Sequence, residues 1–153
     1  MIVEDEALNA LYIASVLEVC GYDIIGVAAT AAGALEAAAD RVPELVLMDI
    51  TLRGDVDGIA AARSLQERLD VPILFVTAHA DAPTLERARA TNPVGYLIKP
   101  FTSRQLEEAV EDALANAPAR KAGSRKLSDD SRQRQNDDDD YDNADDPEDV
   151  SRH

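Results

Sequence analysis

The sequence holds one cysteine, Cys20, so no disulfide can form within the chain and the class of small cross-linked secreted domains is excluded. A reducing compartment is the expected setting. Basic residues are half as numerous as acidic ones, 15 against 30, for a formal charge of -15. Nucleic-acid phosphates are collected by clustered Lys and Arg, so no DNA binding by this chain is expected. Long apolar runs are also missing. No stretch approaches the roughly 18 to 20 residues that cross a bilayer, and the first residues lack a basic region followed by an apolar one. A cytoplasmic protein without a membrane role is the expectation. No glycine-rich loop follows the first apolar stretch, which removes the usual signal for dinucleotide binding.

What is present is 153 residues with 46% hydrophobic content, enough for one ordinary domain with a buried core. The run Leu45, Val46, Leu47, Met48 leads straight into Asp49. A short apolar run without polar alternation predicts a strand buried on both faces, as in parallel sheets covered by helices. Similar runs are Met1–Val3, ending in Glu4 and Asp5, Ile73–Val76, ending in Thr77, and Tyr96–Ile98, ending in Lys99 and Pro100. Met1–Val3 is short for a strand, typical strands having roughly 5 to 6 residues. A fifth strand is expected around Ile24, Ile25, Val27 and Ala28.

Helical signals lie between the strands. Tyr12, Ile13, Val16, Leu17 and Cys20 have the spacing of one buried face, with Gly21 ending the helix and Leu8 and Leu11 left as a second apolar patch near its start. Thr30 is placed to cap Ala31–Asp40, in which Leu35 is the one large core residue, and Asp57 to cap Gly58–Leu69. Asp81 with Pro83 opens a helix to about Thr91, and Thr102 with Gln105 has capping-box spacing before a last helix that buries Leu106, Val110, Ala113 and Leu114. Strand and helix alternate five times, which predicts an α/β fold: a five-stranded parallel sheet with helices on both faces. The pattern stops near Ala117. Residues 118–153 have a basic half and an acidic half with almost no apolar residues, so a disordered charged tail is expected beside a folded domain of residues 1–117.

If the strands are parallel, Glu4, Asp5, Asp49, Thr77 and Lys99 emerge at one edge of the sheet, where open α/β sheets bind ligands. Three crowded carboxylates repel unless a cation intervenes, and an all-oxygen cluster suits a hard ion such as Mg²⁺. A hydroxyl from Thr77 and an ammonium from Lys99 are suited to phosphoryl oxygens. Asp49 is left as nucleophile, metal ligand or both.

The segments Val3-Glu4-Asp5-Glu6, Leu47-Met48-Asp49-Ile50, Phe75-Val76-Thr77-Ala78 and Tyr96-Leu97-Ile98-Lys99-Pro100-Phe101 resemble, in order, the signature blocks of the response-regulator receiver family of two-component signalling. The resemblance implies a flavodoxin-like fold with strand order 2-1-3-4-5. It also implies a bacterial phosphoprotein that is a signalling switch and not an enzyme. Asp49 would take the phosphoryl group from a sensor histidine kinase or phosphotransfer protein; Asp5, Asp49 and the Thr51 carbonyl would bind Mg²⁺, with Glu4 supporting; Thr77 and Lys99 would hold the phosphoryl oxygens. Thr77 and Tyr96 would be the switch pair, and Leu8 and Leu11 would lie on the kinase-contacting helix. Output would pass through a downstream protein target, and a homodimer is possible. A cis bond between Lys99 and Pro100 is frequent in relatives.

This sequence departs from the family at Leu52-Arg53-Gly54-Asp55-Val56-Asp57, with Arg in place of the usual Pro and one residue more. The short first strand, expected at the sheet centre, is a second departure from which a weaker metal site or lower stability is expected. Thr51 and His79 occupy positions that resemble those tuning phosphoryl lifetime, and His79 can titrate near neutrality. Two alternatives stand beside the stand-alone switch. One is a receiver-like scaffold that binds partners without phosphorylation; the other is a phosphatase using Asp49 as nucleophile, for which Thr51 stands where haloacid-dehalogenase-like enzymes need a second Asp.

Overall fold

Five short strands alternate with five helices along the chain. The computed structural model describes residues 1–78 and 81–117, so His79 and the charged segment 118–153 lie outside the described residues, with the expectations placed on them. Strands β1 (Ile2–Val3), β2 (Val27–Ala28), β3 (Val46–Met48), β4 (Ile73–Thr77) and β5 (Gly95–Ile98) make one sheet in the order β2-β1-β3-β4-β5. Every pairing is parallel, as expected. The helices are α1 (Ala7–Val19), α2 (Ala31–Asp40), α3 (Gly58–Leu69), α4 (Ala82–Arg89) and α5 (Ser103–Asn116).

β1, β3 and β4 are buried throughout, which is what an apolar run without alternation requires. Successive residues then feed opposite layers. Val46 and Met48 enter a core with Val3, Ile59, Leu65, Ile73 and Phe75, whereas Leu47 enters the other with Ile2, Ile13, Leu17, Leu74, Leu106 and Val110. α2 and α3 cover the first layer, and α1 and α5 the second.

Each predicted cap is made. Thr30 Oγ1 accepts from the Gly33 amide at 3.0 Å, Asp57 Oδ1 from Ala60 at 2.9 Å and Asp81 Oδ2 from Thr84 at 3.2 Å, while Thr102 and Gln105 form the reciprocal capping box. The details differ from expectation in four helices and one strand. On α1 the buried residues are Ala10, Ile13 and Leu17, with Tyr12 and Cys20 exposed. This helix is apolar almost all round, so periodicity alone does not select the face that packs. On α2 the fully buried residues are Ala31, Ala34 and Ala38, and Leu35 packs at the margin; Leu114 of α5 is likewise marginal. α4 stops at Arg89, and only Val27 and Ala28 of the second apolar run pair as a strand.

Asp57 does more than cap. Its Oδ2 also accepts from Arg87 Nη2 of α4 at 2.8 Å, so one carboxylate joins the start of α3 to α4. Burial alone would push this carboxyl up, but the hydrogen bonds from the Ala60 amide and Arg87, with the guanidinium charge, outweigh it and hold the carboxyl below its usual value near 3.8. A lowered acid contributes stability above its unfolded value and loses it as pH falls through the folded one. Asp57→Asn keeps a capping oxygen and loses only the charge, so it is expected to cost at most about 1 kcal/mol at pH 7, the worth of a partly exposed ion pair. Thermal melts of both proteins should begin to converge below about pH 4 and meet only once pH is below the lowered folded value. A gap that persists into acid would show that charge is not its source.

Candidate functional site

The strand ladders run one residue past the strands and so bring the polar residues together. Glu4 N donates to Ala28 O, Asp49 N to Val3 O and Lys99 N to Thr77 O, each at 2.9 Å. The side chains meet at that edge. Lys99 Nζ donates to Glu4 Oε1 at 2.9 Å and to Asp49 Oδ2 at 3.0 Å. Glu4 and Asp49 keep only 2% and 8% of their side-chain surface, and Lys99 keeps 20%. Burial opposes charge on Lys99, but its hydrogen bonds to Glu4 and Asp49, and their negative charges, raise its pKa above the ordinary 10.5. The contribution of this contact is therefore complete below about pH 10.5 and lost only as pH rises through the raised value.

Asp5 completes the cluster. Carboxylate oxygens of Glu4, Asp5 and Asp49 all lie within 4.8 Å of one another. An all-oxygen donor set at that spacing fits a hard divalent ion such as Mg²⁺. The Lys99 ammonium already supplies positive charge to two of the three acids, Glu4 and Asp49. The Thr51 amide donates to Asp49 Oδ1 at 3.1 Å and helps fix that carboxylate. Thr77 is fully buried at the end of β4, in register with Ile98, immediately before Lys99. The Lys99–Pro100 bond is cis.

Tyr96 pairs with Phe75 across β5 and β4, and the rings stack with centroids 6.2 Å apart. Its hydroxyl is buried and has no hydrogen-bond partner among the described residues. An orphaned polar group costs about 1 to 3 kcal/mol. Tyr96→Phe should therefore stabilise the chain by about 1 kcal/mol, a rise of roughly 4 °C in melting temperature. An unchanged or lower melting temperature would mean that the hydroxyl is satisfied. On α1, Leu8 and Leu11 are 80% and 62% exposed, and Tyr12 and Val19 extend the apolar surface.

Two features escaped the sequence. Gly58, first residue of α3, lies against the backbone of Asp49 and Ile50, and its amide donates to Ile50 O at 2.7 Å. The signal for it was an Asp-Gly pair opening a helix. Arg53, in the loop after Asp49, faces Asp5, with Nε 3.9 Å from Oδ2.

Residues 1–111 match the family model of the response regulator receiver domain. The transcriptional regulatory protein PdtaR of Mycobacterium tuberculosis (strain H37Rv) is 37% identical over 115 residues, covering 75% of this chain and 56% of that protein. The phyllosphere-induced regulator PhyR of Methylorubrum extorquens is 33% identical over 116 residues, covering 74% and 42%. The chain thus spans about half the length of these relatives. Among solved structures, the signal receiver domain of a modulated diguanylate cyclase from Desulfovibrio desulfuricans G20 is similar with TM-score 0.71 and 38% identity, covering 76% of this chain and 92% of that one. The receiver domain of NtrX from Brucella abortus is similar with TM-score 0.70 and 29% identity, covering 75% and 97%.

Proposed function

The chain belongs to the response-regulator receiver family of two-component signalling, and from that membership we propose that residues 1–117 are a phosphoryl-accepting switch with Asp49 as the acceptor. The observation that supports this reading best is the buried Asp49 carboxylate held by the Lys99 ammonium beside two further acids at one sheet edge. An oxygen of Asp49 attacks the phosphorus of a phosphohistidine on a partner kinase or phosphotransfer protein. The N–P bond breaks as the O–P bond forms, and the imidazole leaves with the electron pair.

Asp49 now carries an acyl phosphate. Lys99, freed from that carboxylate, balances charge on the phosphoryl oxygens, and the Thr77 hydroxyl donates a hydrogen bond to one of them. Asp5, Asp49 and the Thr51 carbonyl would hold Mg²⁺, with Glu4 supporting it. When bound, the ion draws off charge that builds on the transferring group. Movement of Thr77 toward the phosphoryl group lets Tyr96 follow, and the surface of α4, β5 and α5 changes for a downstream protein. Leu8 and Leu11 offer the kinase an apolar patch on α1, next to the site. Such a switch works in the cytoplasm, and none of the described helices is long and apolar enough to cross a membrane.

The test is intact mass after incubation with acetyl phosphate, with and without Mg²⁺, beside an Asp49→Asn control. A gain of one phosphoryl group that needs both Mg²⁺ and Asp49 is expected. A folded protein that gains nothing would instead be a scaffold that binds partners unmodified.

A further inference from the structure

The three carboxylates of the cluster are not served equally. Lys99 contacts Glu4 and Asp49, whereas the cation facing Asp5 is Arg53. Among the described residues, three acids against two cations leave one negative charge uncompensated. We propose that Arg53 is a built-in counter-ion of Asp5 that a divalent cation displaces, so that this arginine sets the cation affinity of the site. The inference rests on the metal-site reading above.

At 3.9 Å, with 72% of the Arg53 side chain exposed, the pair would ordinarily count as an incidental surface contact. Its backbone argues otherwise. Leu52, the residue before, is buried in the core layer under α2 and α3. Arg53 itself forms a parallel bridge with Thr30, the cap of α2. Gly54, the residue after, has φ of +102°, a conformation that suits glycine and turns the chain away. The guanidinium therefore starts from a point fixed on both sides and reaches toward a carboxylate that keeps only 19% of its side-chain surface. Long-range placement by the loop, not a tight hydrogen bond, keeps its positive charge near Asp5.

Arg stays protonated at any working pH, so its competition with a metal ion is constant and cannot be titrated away. A hard divalent ion taking Asp5 as a ligand must either push the guanidinium aside or accept its repulsion. Both outcomes weaken binding. Arginine in place of the family's usual proline would thus make this receiver demand a higher cation concentration before its site is complete.

The experiment is calorimetric titration of the unphosphorylated 153-residue chain with MgCl₂ at about 20 mM and about 200 mM monovalent salt, where screening differs severalfold. Arg53→Ala is compared with the parent, with Arg53→Lys and with Arg41→Gln. Arg41 belongs to another exposed ion pair, with Asp23, and stands at the end of α2, away from the acidic edge. Arg53→Ala is expected to tighten Mg²⁺ binding about two- to fivefold at low salt, in line with an exposed pair, and less at high salt. Arg53→Lys should stay near the parent and Arg41→Gln should not change. Equal or weaker binding in Arg53→Ala, or an equal gain in Arg41→Gln, overturns the proposal while leaving the metal site standing. Absence of saturable binding in parent and variants alike overturns the metal-site reading and this proposal together.

Discussion

Gly58→Ala is expected to lower the melting temperature by about 10 °C and to suppress labelling of Asp49 by acetyl phosphate even where the variant is folded. A methyl group at this position would fall inside the van der Waals shell of the Asp49 carbonyl oxygen, and it would lie 2.8 Å from both the Asp49 carbonyl carbon and the Ile50 Cα. These neighbours are backbone atoms of the segment directly after β3 and have no rotamer to give. α3 must therefore move off the sheet edge, and the 2.7 Å bond from the Gly58 amide to Ile50 O goes with it. Alanine is the better helix former by about 1 kcal/mol, which opposes the loss. Overpacking against a well-packed interior costs about 1 to 3 kcal/mol where side chains can adjust, and a contact with backbone belongs at or above the upper end. The clash wins. A melting temperature within 2 °C of the parent, or normal labelling, would mean that α3 can withdraw without disturbing Asp49.

The same contact marks the limit of what the sequence could say. Strand ends were legible because short apolar runs mark strands here, buried throughout in β3 and β4 but only half-buried in the edge strand β5, and Asp49, Thr77 and Lys99 are the first polar residues after them. The caps were legible for a local reason too: Thr30, Asp57, Asp81 and Thr102 each bond an amide three residues on. Faces were harder. α1 carries Leu8, Leu11, Tyr12, Ile13, Val16 and Leu17, so several stripes satisfy helical spacing, and the choice of Ala10, Ile13 and Leu17 is made by the sheet beneath. Pairs that join distant segments left no trace in periodicity. Arg87 with Asp57, Arg53 with Asp5, and the pressure of Asp49 on Gly58 exist only once β3, α3 and α4 are packed. The resemblance to a family supplied roles for the site residues, but not these contacts.

Replacing Lys99 tests the electrostatic design of the site most directly, and Lys99→Met is expected to destabilise the protein at pH 7 by about 2 kcal/mol, roughly 6 to 8 °C in melting temperature. Methionine keeps most of the stem and removes the ammonium. Glu4 and Asp49 are then left almost without solvent, at 2% and 8% side-chain exposure, with carboxylate oxygens within 4.8 Å and no cation between them. Breaking a fully buried pair costs about 3 to 5 kcal/mol; Lys99 retains 20% of its surface at the mouth of the site, so water recovers part of that. Mg²⁺ should restore the variant more than it stabilises the parent, since in the variant the ion replaces the lost charge as well as binding. Melts at pH 7 with and without Mg²⁺ test this. A deficit that ignores Mg²⁺ would make Lys99 a packing residue whose ammonium is incidental, and the acidic edge would lose its claim to be a site built around positive charge.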